Sequence, residues 1–396
     1  MKPDVLILEA DYQRMDEIME RVLAAFPFPW AGKRVVLKPN ILGPYPPEKA
    51  VTTHPSLVRS LTRALKERGA VCLVGDNPGL NGYAANERCA RLSGIFEAAE
   101  GCFVNFARET VAAPVRSRFF QKLAVSRAVL EADWVINLPK FKTHMQTRLT
   151  GAVKNMFGIL AGAEKARVHL AAFRPQDFAE ALVDIYQIRP PDLTIMDAVV
   201  GMEGNGPSGT DLRRIGKVLA AENGVSLDGL MAAMVGLKPG SMSLLRIASR
   251  RGLGKIDPGR MEIQGTWSRL ESFRMPLTFP SRGLLGALVN KLYYRPMVKS
   301  RISFRRDLCT SCGVCARHCP AQALKMPAGA PGDPPQISGA HGHAPLLTKK
   351  KCISCFCCYE LCSSRAIELT GWIGRWEQGL AKPWGKRGKG ESSIHD

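Results

Sequence analysis

Two short runs of cysteine constrain this chain of 396 residues more than anything else in it. The first is Cys309-x2-Cys312-x2-Cys315-x3-Cys319-Pro320, and the second is Cys352-x2-Cys355-x2-Cys358-x3-Cys362, with Cys357 as an additional thiol. Spacing this short carries three thiolates around one centre within a single loop, so the backbone there wraps a cofactor. Paired zinc knuckles separate their Cys-x2-Cys halves by a longer loop. The runs therefore point to iron-sulfur ligation.

The spacing is similar to that of bacterial-type ferredoxins with two 4Fe-4S clusters, in which the fourth cysteine of each run ligates the other run's cluster. On that rule Cys309, Cys312, Cys315 and Cys362 hold one cluster, and Cys352, Cys355, Cys358 and Cys319 hold the second. An internal repeat supports the pairing: Cys319-Pro320-Ala321-Gln322-Ala323-Leu324 parallels Cys362-Ser363-Ser364-Arg365-Ala366-Ile367. Ser363 stands where proline is usual. Cys357 either substitutes for Cys358 or is a free thiol near a cluster, and the spacing does not decide between them. Residues 326–343, rich in Pro and Gly and carrying His341 and His343, read as a loop between the two halves.

Nine of the 12 cysteines lie in these runs, and clustered cysteine without a secretory leader reads as metal ligation, not as a disulfide framework. Cys72, Cys89 and Cys102 read as small buried hydrophobes. Neither a signal peptide nor an apolar stretch of about 18 residues is apparent, so the expected location is cytoplasmic. The net charge is +20, and from residue 240 onward 25 Lys and Arg face 10 Asp and Glu. Such a field favours acidic partners, anionic substrates or at most a peripheral membrane contact, unless it only solubilises the surface. Stacking aromatics are not interleaved with the basic residues outside the tail, which argues against a nucleic-acid partner.

The first 240 residues alternate β-rich runs with amphipathic stretches, the pattern of an α/β domain with a mostly parallel sheet. Residues 5–8, 34–38, 71–75, 134–138 and 193–196 are strand candidates, most of them continuously apolar as strands covered on both faces are. His54-Pro55-Ser56 opens a helix through Arg68, with proline at its first position and Gly69 after its end. Residues 228–235 read as another short helix. Polar clusters follow the strands at Lys38-Pro39-Asn40, Asp76-Asn77-Pro78-Gly79, Lys140-Phe141-Lys142-Thr143-His144 and Asp197. Ligands in open α/β sheets bind beyond the carboxyl ends of the strands, so these clusters predict one shared site. The domains expected are 1–240 (α/β), 241–300 (helical extension and linker), 301–370 (a small α+β ferredoxin domain) and 371–396 (a basic tail with tryptophans).

Several blocks in this first domain resemble the family known as domain of unknown function 362. They are Lys38-Pro39-Asn40, Thr52-Thr53-His54-Pro55 and Gly75-Asp76-Asn77-Pro78-Gly79, then residues 137–144 and Lys154-Asn155-Met156-Phe157-Gly158. A further block runs from Met196-Asp197 through Gly201-Met202-Glu203-Gly204-Asn205-Gly206-Pro207 to Asp228. The resemblance implies an iron-sulfur protein of redox metabolism and leaves its reaction open. A remoter similarity is the spacing His144-x9-Lys154-x14-His169, which looks like that of nickel-pincer lactate racemases. That resemblance implies His144 as acid or base, Lys154 as the tether of the pincer nucleotide and His169 as a nickel ligand. Thr150-Gly151-Ala152-Val153 departs from the glycine-richer approach of that family.

The resulting expectation is an oxidoreductase that draws electrons from a redox partner protein through two clusters to an anionic small molecule. The substrate would meet Lys38, Asn40, His54, Asp76, Lys140, Lys142, Asp197 and Asn205, with His144, Lys154 and His169 as catalytic residues. An electron-transfer subunit docking a larger enzyme, and a nickel-pincer isomerase or cofactor-assembly protein, are the alternatives.

Overall fold

The computed structural model describes residues 2–78, 85–144, 147–172, 174–204, 206–207, 211–276, 301–317, 319, 322–327, 344–352, 358, 362, 364 and 366–370. Asn205, Cys355, Cys357, His341, His343, residues 281–300 and the tail from 371 lie outside them. The chain forms two compact units, Met1–Ala287 and Leu288–Asp396.

The first unit opens with β1 (Val5–Glu9), α1 (Met15–Ala25), β2 (Arg34–Pro39), α2 (Pro55–Glu67), β3 (Val71–Val74), α3 (Asn86–Leu92) and α4 (Ile95–Ala98). A hairpin of β4 (Thr110–Pro114) and β5 (Lys122–Ser126) precedes α5 (Arg127–Leu130), β6 (Trp134–Leu138), β7 (Lys140–His144), β8 (Arg148–Thr150) and α6 (Ala152–Asn155). Then come α7 (Gly162–Ala171), α8 (Pro175–Tyr186), β9 (Leu193–Met202), β10 (Leu212–Ala221), α9 (Gly224–Met234), α10 (Ser243–Arg250) and β11 (Ile263–Gln264).

Nine strands form one sheet in the order β11-β1-β10-β9-β6-β2-β3, with β7 against β9 and β8 against β7. The run β9-β6-β2-β3 is parallel, and β10 is antiparallel to both of its neighbours. Alternation along each strand sends successive side chains to opposite faces. Val36 and Val135 join a core with Phe178 and Leu182 of α8, whereas Val35, Leu37 and Ile136 join one with Ile18 of α1 and Leu61 of α2. Each layer of helices therefore covers one face of the sheet, the expected α/β architecture. The α2 start is as anticipated: His54 is the cap, its Nδ1 accepts from the Ser56 N–H at 3.2 Å, and Pro55 follows it. Gly69, at φ 76°, ends the helix where a side chain would be strained.

Three details differ from the sequence reading. β9 is ten residues long and contains Asp197 instead of ending before it. The segment expected as a polar loop after β6 is strand β7, because the overhang of β9 offers it an edge, pairing Lys140 with Asp197 and Lys142 with Met202. Position 240 falls inside the first unit: α10 buries Leu244, Leu245 and Ala248 in the core, and β11 pairs with β1.

In the second unit β12 (Arg301–Phe304) runs antiparallel to β15 (Ile367–Thr370), and β13 (Leu324–Lys325) to β14 (Leu346–Leu347). The first cysteine run follows β12, and the second closes just before β15. Among the described residues no helix is long and apolar enough to cross a membrane.

Candidate metal centre and anion site

In the second unit Cys309, Cys312, Cys315 and Cys362 line one small pocket, beside apolar neighbours such as Val314 and Ile367. Three thiols of the first run thus meet the last thiol of the second, the crossed set read from the spacing. Burial, together with the neighbouring Cys312, Cys362 and Cys309, pushes the Cys315 thiol up to about 11. Thiols crowded in this way resist ionisation until a cationic centre offsets their charge. Among the described residues no three His, Cys, Asp or Glu side chains are placed to hold a single metal ion. The donor set fits a polynuclear iron-sulfur cluster. The fourth thiols are held alike in both halves: the Ala323 N–H donates to Cys319 Sγ and the Ala366 N–H to Cys362 Sγ, each at 3.2 Å. Amide donors on a cluster sulfur are a recognised way of tuning potential.

In the first unit, the carboxyl ends of β3, β2 and β6 carry the second site. Lys38 Nζ meets Asp76 Oδ1 at 2.7 Å with both side chains buried, while the Ile41 N–H donates to Asp76 Oδ2 at 2.8 Å. Gly158 lies so close that a β-carbon there would sit 2.0 Å from Asp76 Oδ1, so only glycine leaves room for the pair. Asparagines brace the floor: Asn40 Nδ2 donates to Asn155 Oδ1 at 3.0 Å, and Asn155 Nδ2 donates to Asn137 Oδ1 at 2.8 Å. Asp228 anchors the start of α6, accepting from the Ala152 N–H at 2.6 Å and the Val153 N–H at 3.0 Å. Burial raises its carboxyl to about 7 against the pull of those two donors. A β-carbon at Gly151 would stand 2.1 Å from Asp228 Oδ1, which accounts for glycine before this helix.

A second node lies along β7. Lys140 Nζ donates to Asp197 Oδ2 at 2.7 Å and to the Tyr12 hydroxyl at 2.8 Å, and that hydroxyl donates to Asp197 Oδ1 at 3.0 Å. The His54 N–H donates to Asp197 Oδ2 at 2.9 Å, and the His54 ring stacks on Tyr12 with centroids 3.6 Å apart. Lys140 and Asp197 are completely buried, so each charge depends on the other. This node joins β7, β9 and the start of α2 as a structural tie.

Lys142, two residues along β7, differs. Its Nζ donates to Asn40 Oδ1 at 2.6 Å and to the Val51 carbonyl at 2.7 Å, both neutral acceptors. Burial, and then the charges of Lys154 and Lys140, hold it well below the ordinary lysine range. The half-buried Lys154 has neither a hydrogen-bond nor an ion-pair partner among the described residues. Burial, reinforced by Lys38, pulls it down to about 8. His144 and His169 stand in the same field: burial and then Lys154 hold His144 well below its usual value and bring His169 to about 3. Both imidazoles are neutral at pH 7. The Thr147 N–H donates to His144 Nδ1 at 3.3 Å, which places the ring proton on Nε2. His169 stacks on Phe178 at 4.5 Å and meets Phe157 edge-on at 5.4 Å.

Contacts thus join Lys38 to Asp76 and Lys142 to Asn40; His144, Lys154 and His169 share one electrostatic field; and His54, Lys140 and Asp197 form the adjoining tie. Tyr12, Asn137, Asn155, Lys165 and Asp228 were not assigned roles. Lys165 is buried against the Asn77 and Pro78 carbonyls, and its only sequence signal is its position after the glycine-rich turn. Asn137 was detectable as a polar residue inside an otherwise apolar strand.

Residues 35–233 match the family described as domain of unknown function (DUF362), and residues 302–325 match the 4Fe-4S binding domain. A thylakoid-associated protein of Synechocystis is 31% identical over 276 residues, 67% of this chain and 84% of that protein. A trichloroethene reductive dehalogenase of Dehalococcoides mccartyi is 35% identical over 71 residues, 17% of this chain and 12% of that enzyme. Among solved structures, the lactate racemase apoprotein of Thermoanaerobacterium thermosaccharolyticum aligns with a TM-score of 0.38 at 12% identity, covering 60% of this chain and 58% of that one. The chain belongs to the DUF362 family and carries a 4Fe-4S binding domain behind the family's own domain.

Proposed function

We propose that this protein is an iron-sulfur oxidoreductase that brings electrons to a small organic anion held at Lys154. Lys154 carries the reading: a half-buried ammonium without a partner among the described residues, set among further cationic and basic groups. An uncompensated charge of this kind is costly unless a ligand supplies the counter-charge. Bound clusters would supply one-electron relay. The chain's own residues do the rest. Lys154 fixes the anion, and Lys38, clamped by Asp76, keeps the local potential positive. The neutral His144, whose Nδ1 accepts from the Thr147 N–H, takes the proton-transfer role. An anion beside Lys154 cancels part of the field that depresses His144, so its imidazole moves back toward its ordinary range once substrate is bound. The 71-residue likeness to a reductive dehalogenase accords with electron delivery to a substrate.

The test is calorimetric titration of anaerobically purified protein with acetate and with malonate, alongside iron and sulfide analysis. At least one anion should bind, and Lys154→Ala should abolish binding while cluster content stays unchanged. Lys154 is protonated below about 8 and loses its charge above it. Affinity should therefore be greatest below pH 8 and fall about tenfold per unit above it. Failure of both anions to bind, with His144→Ala and Lys154→Ala still passing electrons to a partner protein at the normal rate, would leave only a relay role.

A further inference from the structure

The two fourth thiols share an amide donor but differ in one respect. Cys362 Sγ has the Ala366 N–H at 3.2 Å and also the Ser364 hydroxyl, whose Oγ stands at 3.5 Å. Cys319 Sγ has the matching Ala323 N–H at 3.2 Å, but the residue two positions on is Ala321, which has no hydroxyl. The internal repeat thus carries a hydroxyl beside one fourth thiol and a methyl group at the same place beside the other. Ser364 is half-buried and lines the pocket shared by Cys309, Cys312, Cys315 and Cys362, with Val314, Ala366 and Ile367 around it. Apolar neighbours lower the local dielectric, which strengthens a hydrogen bond made there. Between a thiol and a hydroxyl either group can donate. A thiolate that ligates iron has no proton left to give, so toward a bound cluster Ser364 is the donor.

We propose that Ser364 tunes the potential of the centre held by Cys309, Cys312, Cys315 and Cys362, its hydroxyl donating to the Cys362 thiolate. This rests on the reading that bound clusters relay electrons. Ser364 acts through Cys362 and touches no substrate. One added electron places part of its negative charge on the ligating sulfurs. A donor holds a more negative sulfur more strongly, so the hydroxyl stabilises the reduced form more than the oxidised form. The expected bias is about tenfold in the one-electron equilibrium, which is about 59 mV upward. With Ala321 in the corresponding place, the centre completed by Cys319 receives no such contribution. The hydroxyl therefore makes the two centres unequal and favours the first as the resting place of an electron.

The test is a potentiometric titration of the full-length, anaerobically purified protein, followed by electron paramagnetic resonance, with iron and sulfide measured on the same samples. Ser364→Ala should lower one of the one-electron midpoints by about 59 mV, a tenfold loss in the ease of reduction, and leave the other in place. Iron per chain should not change. Ser364→Thr, which keeps the hydroxyl, should retain the original midpoint. The moved step belongs to the first-run centre, so the shift should persist beside Cys352→Ala and vanish beside Cys309→Ala. Midpoints that stay where they were with iron intact, or an equal fall in the alanine and threonine variants, overturn the tuning role and leave the iron-sulfur reading untouched. Loss of iron in Ser364→Ala also overturns it, since the residue then holds the turn and does not set a potential. Iron-free unmodified protein, after reconstitution without oxygen, overturns both readings.

Discussion

Cys362→Ala should empty the cluster of the first cysteine run, although Cys362 stands at the end of the second. Iron should fall from about eight to about four per chain. The crossed arrangement around the cavity makes a sharper forecast for pairs of substitutions. Cys309→Ala combined with Cys362→Ala disables the same cluster twice, so the double variant should retain about four irons and one paramagnetic signal on reduction. Cys309→Ala combined with Cys319→Ala strikes both clusters and should leave almost no iron. Uncrossed ligation would exchange these two results. Iron and acid-labile sulfide analysis after anaerobic purification, with electron paramagnetic resonance, reads the outcome directly.

Asp197→Asn should be the most destabilising single exchange in the first unit. The shape of the side chain is preserved, so the Tyr12 and His54 contacts have a partner, but Lys140 loses the one carboxylate that meets it among the described residues, in a fully buried setting. Stranding a buried charge costs about 3–5 kcal/mol, which lowers the thermal midpoint of a unit this size by roughly 10 °C. Adding Lys140→Met removes the stranded charge and should recover most of the loss. Urea unfolding of the two single variants and the double variant measures the coupling; simple additivity would show that the pair is not the tie described here.

The parts of the fold that were legible in sequence are those buried on both faces. β1, β2 and β6 are mostly apolar runs because helices cover both sides of the sheet, and the cap, proline and glycine of α2 are each visible one by one. β7 was not legible, because Lys140, Lys142 and Thr143 look like a solvated loop until the β9 overhang and the inward partners of the lysines are known. Lys38, Lys142 and His144 were legible from their positions after successive strands, whereas Lys154 and His169 were legible only through the spacing that follows His144. The difference between Lys140 and Lys142 was not. It depends on Asp197, Tyr12, Asn40 and Val51, which lie far from β7 in the chain, and no local pattern tells a matched lysine from an unmatched one. Asp228 was quoted within a motif, yet its hold on α6 appears only once the backbone of residues 151–153 is in place.

The shared cavity of Cys309, Cys312, Cys315 and Cys362 also sets a schedule for biosynthesis. On the ribosome, the first run emerges well before Cys362, so a centre held by these four thiols could not be finished until that later residue is translated. Its maturation would then wait for the second run, and a truncated product lacking Cys362 would leave the early thiols open to oxygen and stray metals.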